Sequence, residues 1–403
     1  MRLHSHPFST LLAAVIVIAA SIKPLHLTVS TLASRNSTSQ QVSAGSLVND
    51  DLVASTSHAC PAGHPTLELT HASHPELATS GATLKSLAAK QGVRIGTAVQ
   101  PALLSLDQPY GDVLAQQFDS LTPENALKFE VVHPAPDHFD FCAADAVFAA
   151  ASQRGMAVRG HTLVWHNQLP SWLRQSDFSR DELINVLRNH ITTVVGRYRG
   201  QVAAWDVVNE AFNDDGTLRE TIWLRGIGPE YIEMAFRWAH EADPDAKLFY
   251  NDFGGEGLGA KSDAIFRMVR DLKRRAVPIH GVGLQMHVAL EAESRPAIGD
   301  LKANMKRLAS VGVETHITEM DVRVPLPVSA TDLERQAAVY NAITAACLAE
   351  SGCTSITLWG FTDRHSWVSD SGAFPGNGAA LLFDEAYQPK PAFEALQNAF
   401  MGA

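Results

Sequence analysis

Two short stretches, Trp205-Asp206-Val207-Val208-Asn209-Glu210 and Ile317-Thr318-Glu319-Met320-Asp321, carry most of the information about the fold of this chain. Each stretch places a glutamate at the end of an apolar, β-branched run that predicts a buried strand. A buried parallel strand has no structural need for a carboxylate at its tip. Each glutamate alone could simply end its strand in solvent. Two of them, far apart in the sequence, indicate a converging acid/base pair.

The composition of the chain limits the classes of function that it can have. The 403 residues are 46% hydrophobic and 19% charged, which is ordinary for a globular protein with a large core. A net charge of −11 argues against a nucleic-acid partner, because a phosphate backbone needs clustered Lys and Arg. It is compatible with an uncharged ligand such as a polysaccharide.

The first 78 residues are predicted to lie outside the catalytic fold. Arg2 precedes an apolar run from Leu11 to Ala20, so residues 1–30 are interpreted as an export signal, cleaved between Ala20 and Ser34. The run is short for a membrane span of about 20 residues, although an uncleaved anchor remains the alternative. Residues 31–78 lack Phe, Tyr and Trp and predict a flexible leader. We therefore expect a secreted protein, extracellular or periplasmic, with no membrane contact in its mature form.

Four cysteines are compatible with an oxidising compartment. Cys347 and Cys353 are close in sequence and are a possible disulfide that joins a helix end to the next strand. Cys60 and Cys142 either pair with each other, or Cys142 is a buried free thiol. The spacing of the cysteines and histidines does not suggest a zinc site, and we expect no metal and no cofactor.

Residues 79–403 alternate short apolar runs with segments of helical spacing. The helical spacing is clearest from Leu183 to Tyr198, and Gly200 stands just beyond that segment. This order predicts an α/β fold of the (β/α)8 barrel type. A doubly wound open sheet is the alternative, but no glycine-rich phosphate loop opens a first helix. The eight predicted strands are Val93–Val99, Ser120–Glu124, Ala157–Trp165, Ala203–Asn209, Lys247–Asp252, Gly281–His287, Glu314–Glu319 and Ser355–Phe361.

Unusual polar residues cluster at the carboxyl ends of these strands, where a barrel of this type has its active site. Strand alternation places Gln285 with His287 on one face, and Glu319 with Asp321 on another, which allows a hydrogen-bonded cluster. The polar and aromatic residues at the strand ends are Glu124, Asn125, Lys128, His161, Trp165, Asn209, Glu210, Gln285, His287, Glu319, Asp321, Trp359 and Trp367.

Several motifs, taken in order, resemble glycoside hydrolase family 10, a family of endo-β-1,4-xylanases. The resemblance covers about residues 80–400, and the order of the motifs makes it specific. The matching segments are Pro123-Glu124-Asn125-Ala126-Leu127-Lys128, Gly160-His161-Thr162-Leu163-Val164-Trp165-His166, the two glutamate stretches, Gly281-Val282-Gly283-Leu284-Gln285-Met286-His287, Leu358-Trp359-Gly360-Phe361 with His365-Ser366-Trp367, and Leu381-Leu382-Phe383-Asp384.

The resemblance implies a role for each matching residue. Glu210 corresponds to the general acid/base and Glu319 to the nucleophile, while Asn209 hydrogen-bonds a sugar hydroxyl. Trp359 and Trp367 correspond to aromatic walls beside the cleavage point. His287 lies between Glu319 and Asp321 in a polar relay and helps to hold the nucleophile. The residues that correspond to xylose-binding positions are Glu124, Asn125, Lys128, His161, Trp165 and Gln285.

The implied reaction is retaining hydrolysis of xylan in two displacement steps, with one carboxyl protonated and the other ionised. The expected partners are xylan and xylo-oligosaccharides, with no nucleic acid, and the chain is expected to be a monomer. The alternatives are a barrel hydrolase that prefers another β-1,4 glycan such as cellulose, a catalytically inactive barrel that binds xylan, and a metalloenzyme. The loop Ser369–Gly378 is expected to shape the cleft wall or to move.

Overall fold

The computed structural model describes residues 82–402. The predicted signal segment 1–30, the predicted leader 31–78 and Cys60 lie outside the described residues. Within residues 82–402, no helix is long and apolar enough to cross a membrane.

Eight parallel strands close into a barrel, as predicted. Each strand pairs with the next in the order β1, β2, β3, β4, β5, β6, β8, β9, and β9 pairs back onto β1. The glutamate stretches therefore lie on the fourth and the seventh barrel strands, β4 and β8. The strands of the described residues are β1 Arg94–Val99, β2 Ser120–Pro123, β3 Ala157–Val164, β4 Ala204–Asn209, β5 Lys247–Asp252, β6 Gly281–Leu284, β7 His287–Ala289, β8 Glu314–Pro325, β9 Cys353–Leu358 and β10 Asn377–Gly378.

The last three barrel strands differ from their predicted bounds. The predicted strand Gly281–His287 is divided into β6 and β7, because Met286 adopts a φ of +67° and its amide donates to Glu256 Oε1 at 3.1 Å. β8 runs six residues further than predicted, since its distal half pairs with β7 and β10. β9 ends at Leu358, so Trp359 follows the strand rather than lying within it.

Helices surround the barrel and connect its strands. α7 begins as the sequence indicates, with a capping box between Ser179 and Glu182. The helices are α1 Leu84–Lys90, α2 Leu103–Leu106, α3 Gln108–Gln117, α4 Phe129–Val132, α5 Cys142–Arg154, α6 Ser171–Gln175, α7 Arg180–Arg197, α8 Ile222–Ile227, α9 Tyr231–Ala242, α10 Ala260–Arg274, α11 Ile298–Ser310, α12 Ala330–Leu348, α13 Trp367–Asp370 and α14 Pro391–Gly402, with 3-10 turns at Ala292–Ser294 and Asp363–His365.

The outer face of the barrel strands, which points toward the helices, is closely packed. Trp205 on β4 is fully buried, and its ring lies against Gly160 on β3. A Cβ atom added at Gly160 would lie 2.1 Å from that ring, so no larger residue fits there without displacing the tryptophan. This close contact helps to fix the register of β3 against β4, the two strands that carry His161 and Asn209.

The predicted disulfide between Cys347 and Cys353 is confirmed. It joins the last turn of α12 to the first residue of β9, as expected from the sequence. Cys142, at the start of α5, is also disulfide-bonded, so the alternative of a free thiol at Cys142 is wrong. The possible pairing of Cys60 lies outside the described residues.

Candidate active site

Glu210 stands immediately after β4 in a backbone conformation that side chains rarely adopt. Its φ is +57°, a left-handed value that costs a non-glycine residue about 1–3 kcal/mol. Two hydrogen bonds hold the backbone there: the Glu210 amide donates to the Asn251 carbonyl at 2.9 Å, and Arg219 Nε donates to the Glu210 carbonyl at 3.1 Å. The strained turn aims this carboxyl into the mouth of the barrel.

The carboxyl of Glu210 is surrounded by neutral hydrogen-bond donors. Trp165 Nε1 donates to Oε2 at 2.8 Å. Gln285 Nε2 and Asn209 Nδ2 donate to Oε1 at 3.1 Å and 3.3 Å. The residue is only 9% exposed. All three donors are neutral, so they orient the carboxyl without adding a positive charge beside it.

Glu319 on β8 is held by a different kind of partner. Its Oε1 accepts a hydrogen bond from Asn251 Nδ2 at 2.6 Å, and its Oε2 accepts one from His287 Nε2 at 3.2 Å. Burial alone would raise the pKa of this carboxyl. The positive field of His161 and the hydrogen bond and charge of His287 outweigh burial, so the pKa of Glu319 lies below its usual range.

His287 joins the nucleophile candidate to a second buried carboxylate. Its Nδ1 lies 2.7 Å from Asp321 Oδ2, which also accepts from Trp367 Nε1 at 2.8 Å. Burial lowers the pKa of His287, but Asp321 and Glu319 together overcome that effect and raise the pKa to about 10. The imidazole is therefore charged at neutral pH, and both of its nitrogens donate.

Two asparagines link the two glutamates. Asn251 Nδ2 donates both to Glu319 Oε1 and to Asn209 Oδ1 at 2.8 Å, and Asn209 in turn donates to Glu210. Thr318 Oγ1 donates to Asn251 Oδ1 at 2.7 Å and so fixes the orientation of that amide. Gly283 on β6 pairs with Asn251 across the sheet, and this position requires a glycine. A Cβ atom there would lie 2.1 Å from Asn251 Oδ1.

His161, also at the floor of the site, is oriented by a buried ion pair. Its Nδ1 lies 3.0 Å from Asp206 Oδ2. Arg159, two residues earlier on β3, forms a bidentate contact with the two carboxylate oxygens of Asp206. The charge of Arg159 and the hydrogen bond of His161 lower the pKa of Asp206 in spite of complete burial.

A second polar group occupies the loop after β2. Lys128 Nζ donates to Asn125 Oδ1 at 2.9 Å and lies 5.0 Å from the centre of the Trp165 ring. Glu124 accepts from Gln100 Nε2 at 3.1 Å. Burial raises the pKa of Glu124 and lowers that of Lys128. These donors and acceptors are suited to the hydroxyls of an uncharged ligand.

The two predicted aromatic walls lie against the two histidines of the site. Trp359 packs its ring 5.1 Å from the centre of His161, nearly perpendicular to it, and 6.2 Å from His287. Trp367 lies 4.8 Å from His287. The structure thus brings all of the predicted site residues into one connected cluster.

The sequence interpretation missed the contribution of β5. Asn251 connects the two glutamates, and the next residue, Asp252, is buried beside Lys261 with Nζ to Oδ1 at 3.0 Å. Burial raises the pKa of Asp252 to about 7, with Lys261 opposing and the charge of Glu210 adding to the rise. Tyr250 donates to the other oxygen of Asp252. The sequence did carry a weak signal for these two residues, because Asn251-Asp252 at the end of β5 is similar to Asn209-Glu210 at the end of β4.

The charged groups of this site are held by ion pairs or by hydrogen bonds to neutral side chains. Across residues 82–402, no group of three or more His, Cys, Asp or Glu side chains is arranged to hold a metal ion. The arrangement instead presents two carboxyls of unlike surroundings to one cleft, which is what cleavage of a glycosidic bond requires.

The family comparison agrees with this geometry. Glycosyl hydrolase family 10 matches residues 83–399, and the chain belongs to that family. The predicted family and the predicted barrel are confirmed, and the chain is a glycoside hydrolase.

The curated relatives and solved structures extend the comparison. Endo-1,4-beta-xylanase B of Thermotoga neapolitana is 45% identical over 318 residues, covering 78% of this chain and 90% of the relative. Endo-1,4-beta-xylanase of Agaricus bisporus is 40% identical and covers 79% and 95%. The structure of xylanase 10B from Thermotoga petrophila RKU-1 in complex with xylobiose has a TM-score of 0.77 at 43% identity, covering 82% of this chain and 99% of that one.

Proposed function

We propose that this chain is an endo-β-1,4-xylanase that hydrolyses internal bonds of xylan with retention of configuration. Family membership and the xylanase relatives support the activity. The observation that carries the mechanism is the contrast between the carboxyl groups of the two buried glutamates: that of Glu319 contacts a charged histidine, whereas that of Glu210 accepts only from neutral donors.

In the first step, Glu319 attacks the anomeric carbon while Glu210 gives its proton to the departing glycosidic oxygen. The low pKa of Glu319 keeps the nucleophile ionised at the pH where Glu210 must be protonated. Trp165 and Gln285 hold the acid carboxyl in place through the proton transfer. The product of this step is a glycosyl ester of Glu319.

In the second step, Glu210 is ionised and takes a proton from water, which attacks the same carbon. The ester bond to Glu319 breaks, and the nucleophile returns to its contacts with Asn251 and His287. The negative charge of Glu210 raises the pKa of the nearby Asp252 carboxyl, so the charge on one group depends on the charge on the other.

The remaining polar groups are assigned to binding of the sugar chain. The cluster of Glu124, Asn125 and Lys128 offers both donors and acceptors to hydroxyls, and the Trp359 and Trp367 rings offer apolar faces. Solved relatives that carry xylobiose, xylotriose and xylotetraose support xylo-oligosaccharides as ligands. We assign no cofactor to the reaction.

We also propose that the chain is exported and acts as a monomer outside the cytoplasm. The apolar run from Leu11 to Ala20 supports an export signal, and the disulfide between Cys347 and Cys353 supports an oxidising compartment.

The stereochemistry of the first product tests the proposed mechanism. An NMR time course on xylohexaose is expected to show the β-anomer first, followed by slow mutarotation. Initial α-product would overturn the double displacement. Reducing-sugar release from xylan is expected to exceed that from carboxymethyl cellulose by at least about 100-fold, and a dominant cellulose signal would overturn the assignment of the substrate.

A further inference from the structure

Arg323 occupies an unusual place on the strand that carries the proposed nucleophile. Because side chains of a strand alternate between its faces, Arg323 follows Glu319 and Asp321 on the same face of β8. Its neighbour across the ladder is Ala289 on β7, two residues beyond His287. The arginine therefore lies at the rim of the site, directly above the residues that hold the nucleophile.

The guanidinium of Arg323 rests on an aromatic ring from the loop Ser369–Gly378. Its central carbon is 4.0 Å from the centre of the Phe374 ring. Phe374 meets Trp367 edge-on at 5.1 Å, and Trp367 donates to Asp321. The loop is tied to β8 by β10, where Gly378 pairs with Val324. Phe374 thus holds the guanidinium beside the aromatic wall of the cleft.

Within the described part of the chain, the guanidinium of Arg323 has no hydrogen-bond acceptor and no ion-pair partner. Its side-chain contact there is the stacking on the Phe374 ring. Two other arginines that are shielded from solvent are different: the half-buried Arg307 pairs with Asp263, and the buried Arg159 pairs with Asp206. Asp321 and the exposed Glu291 act on Arg323 only through their field. Burial lowers the pKa of Arg323, yet a guanidinium stays charged at any working pH.

A planar guanidinium with free donors and one face covered is suited to a planar anion such as a carboxylate, which it can bind through two parallel hydrogen bonds. The backbone of xylan is uncharged, but its glucuronic acid branches carry a carboxylate. We propose that Arg323, stacked on Phe374, binds the carboxylate of a glucuronic acid branch and gives the enzyme a preference for acidic xylan. This inference rests on the proposed xylanase function.

Three matched substrates test the proposal: a xylo-oligosaccharide with one glucuronic acid branch, the same compound with that carboxyl reduced to an alcohol, and the unbranched parent. For the unaltered enzyme at low salt, kcat/KM is expected to be about tenfold higher on the acid than on the reduced compound. The ratio is expected to fall toward one as salt is added.

Variants of the full chain separate the arginine from the rest of the site. Arg323→Gln is expected to bring the acid-to-reduced ratio close to one while kcat/KM on the unbranched parent stays within about twofold. Arg323→Lys should keep part of the preference, since it keeps the charge but loses the planar fork. Arg270→Gln is the matched control, because Arg270 also lies against a phenylalanine, Phe266, but on the outer helix α10.

Two results would overturn the inference: an unaltered enzyme that does not distinguish acid from alcohol, or an Arg323→Gln variant that keeps the full preference. The first of these needs no variant, so misfolding of a variant cannot obscure it. Absence of hydrolysis of the unbranched parent by the unaltered enzyme would instead contradict the proposed function itself.

Discussion

The carboxyl ends of β4 and β8 both present a buried glutamate to the cleft, but the two groups have partners of different charge. Glu319 contacts His287, whose pKa is raised to about 10, and Asn251. Glu210 contacts an indole and two amides. A charged partner keeps a carboxylate ionised, whereas neutral partners let a carboxyl gain and lose a proton during turnover. The proposed roles of the two residues therefore follow from their neighbours rather than from their residue type.

Replacement of either glutamate is expected to cause the largest loss of activity. Glu319→Gln is expected to lower kcat by at least about 10⁴-fold on every substrate, because no nucleophile remains. Glu210→Ala is expected to lower kcat on xylan by about 10³-fold. Its first step should survive on an aryl xylobioside whose leaving group needs no proton, and a burst of released phenol would report it.

The outcome is informative for both residues. If Glu210→Ala lost the burst while circular dichroism showed an intact fold, the acid assignment would be wrong. Added azide should rescue Glu210→Ala by attacking the glycosyl ester in place of water, which gives a β-glycosyl azide. A β-glycosyl azide formed by Glu319→Gln instead would reverse the two roles.

Removal of the bridge between the two glutamates is expected to have a smaller effect. Asn251→Ala deletes the donor to Glu319 and the contact with Asn209, and should lower kcat by about 100-fold, a loss typical of one preorganised donor. Thr318→Val is the graded control, because it removes only the hydrogen bond that orients Asn251. A kcat for Asn251→Ala within about twofold of the unaltered enzyme would show that the bridge has no catalytic role.

The pH dependence of kcat/KM is expected to report the charged surroundings of Glu319. Since the pKa of Glu319 is below its usual range, kcat/KM should hold at acidic pH until this group is protonated. His287→Gln removes the positive partner, so the pKa of Glu319 rises and the acidic limb of the profile moves to higher pH. The measurement is kcat/KM against pH on an aryl xylobioside. An unchanged acidic limb would refute the role of His287, and the same substitution at the exposed His138, His138→Gln, serves as the control.

The sequence was sufficient for the barrel because strand and helix periodicities repeat eight times, and the family motifs placed the residues at the strand ends. It was not sufficient for Asn251, since an asparagine at a strand end is ordinary and its two partners lie 42 and 68 residues away. Such bonds depend on strand register across the barrel and on space left by Gly283. The break between β6 and β7 also depends on a distant partner, the Glu256 side chain.

A second histidine shows the opposite effect of burial and predicts the smallest change. His190 on α7 is fully buried, its ring stacked 3.7 Å from the centre of Phe129 and also near His133. Within residues 82–402, no carboxylate compensates for the lost hydration, so burial and the field of His133 hold the pKa of His190 well below its usual 6.5. The same residue type is thus charged at position 287 and neutral at position 190.

A histidine with a lowered folded pKa contributes full stability above pH 6.5 and loses it as the pH falls, because the unfolded chain binds the proton first. At pH 5.5 this amounts to about 1 kcal/mol. His190→Phe should therefore flatten the decline in the free energy of unfolding between pH 7.5 and 5.5, whatever its effect at neutral pH. Urea unfolding at both pH values measures this difference, with the exposed His138→Gln as control. An equal decline in His190→Phe and the unaltered chain would show that other groups govern acid unfolding.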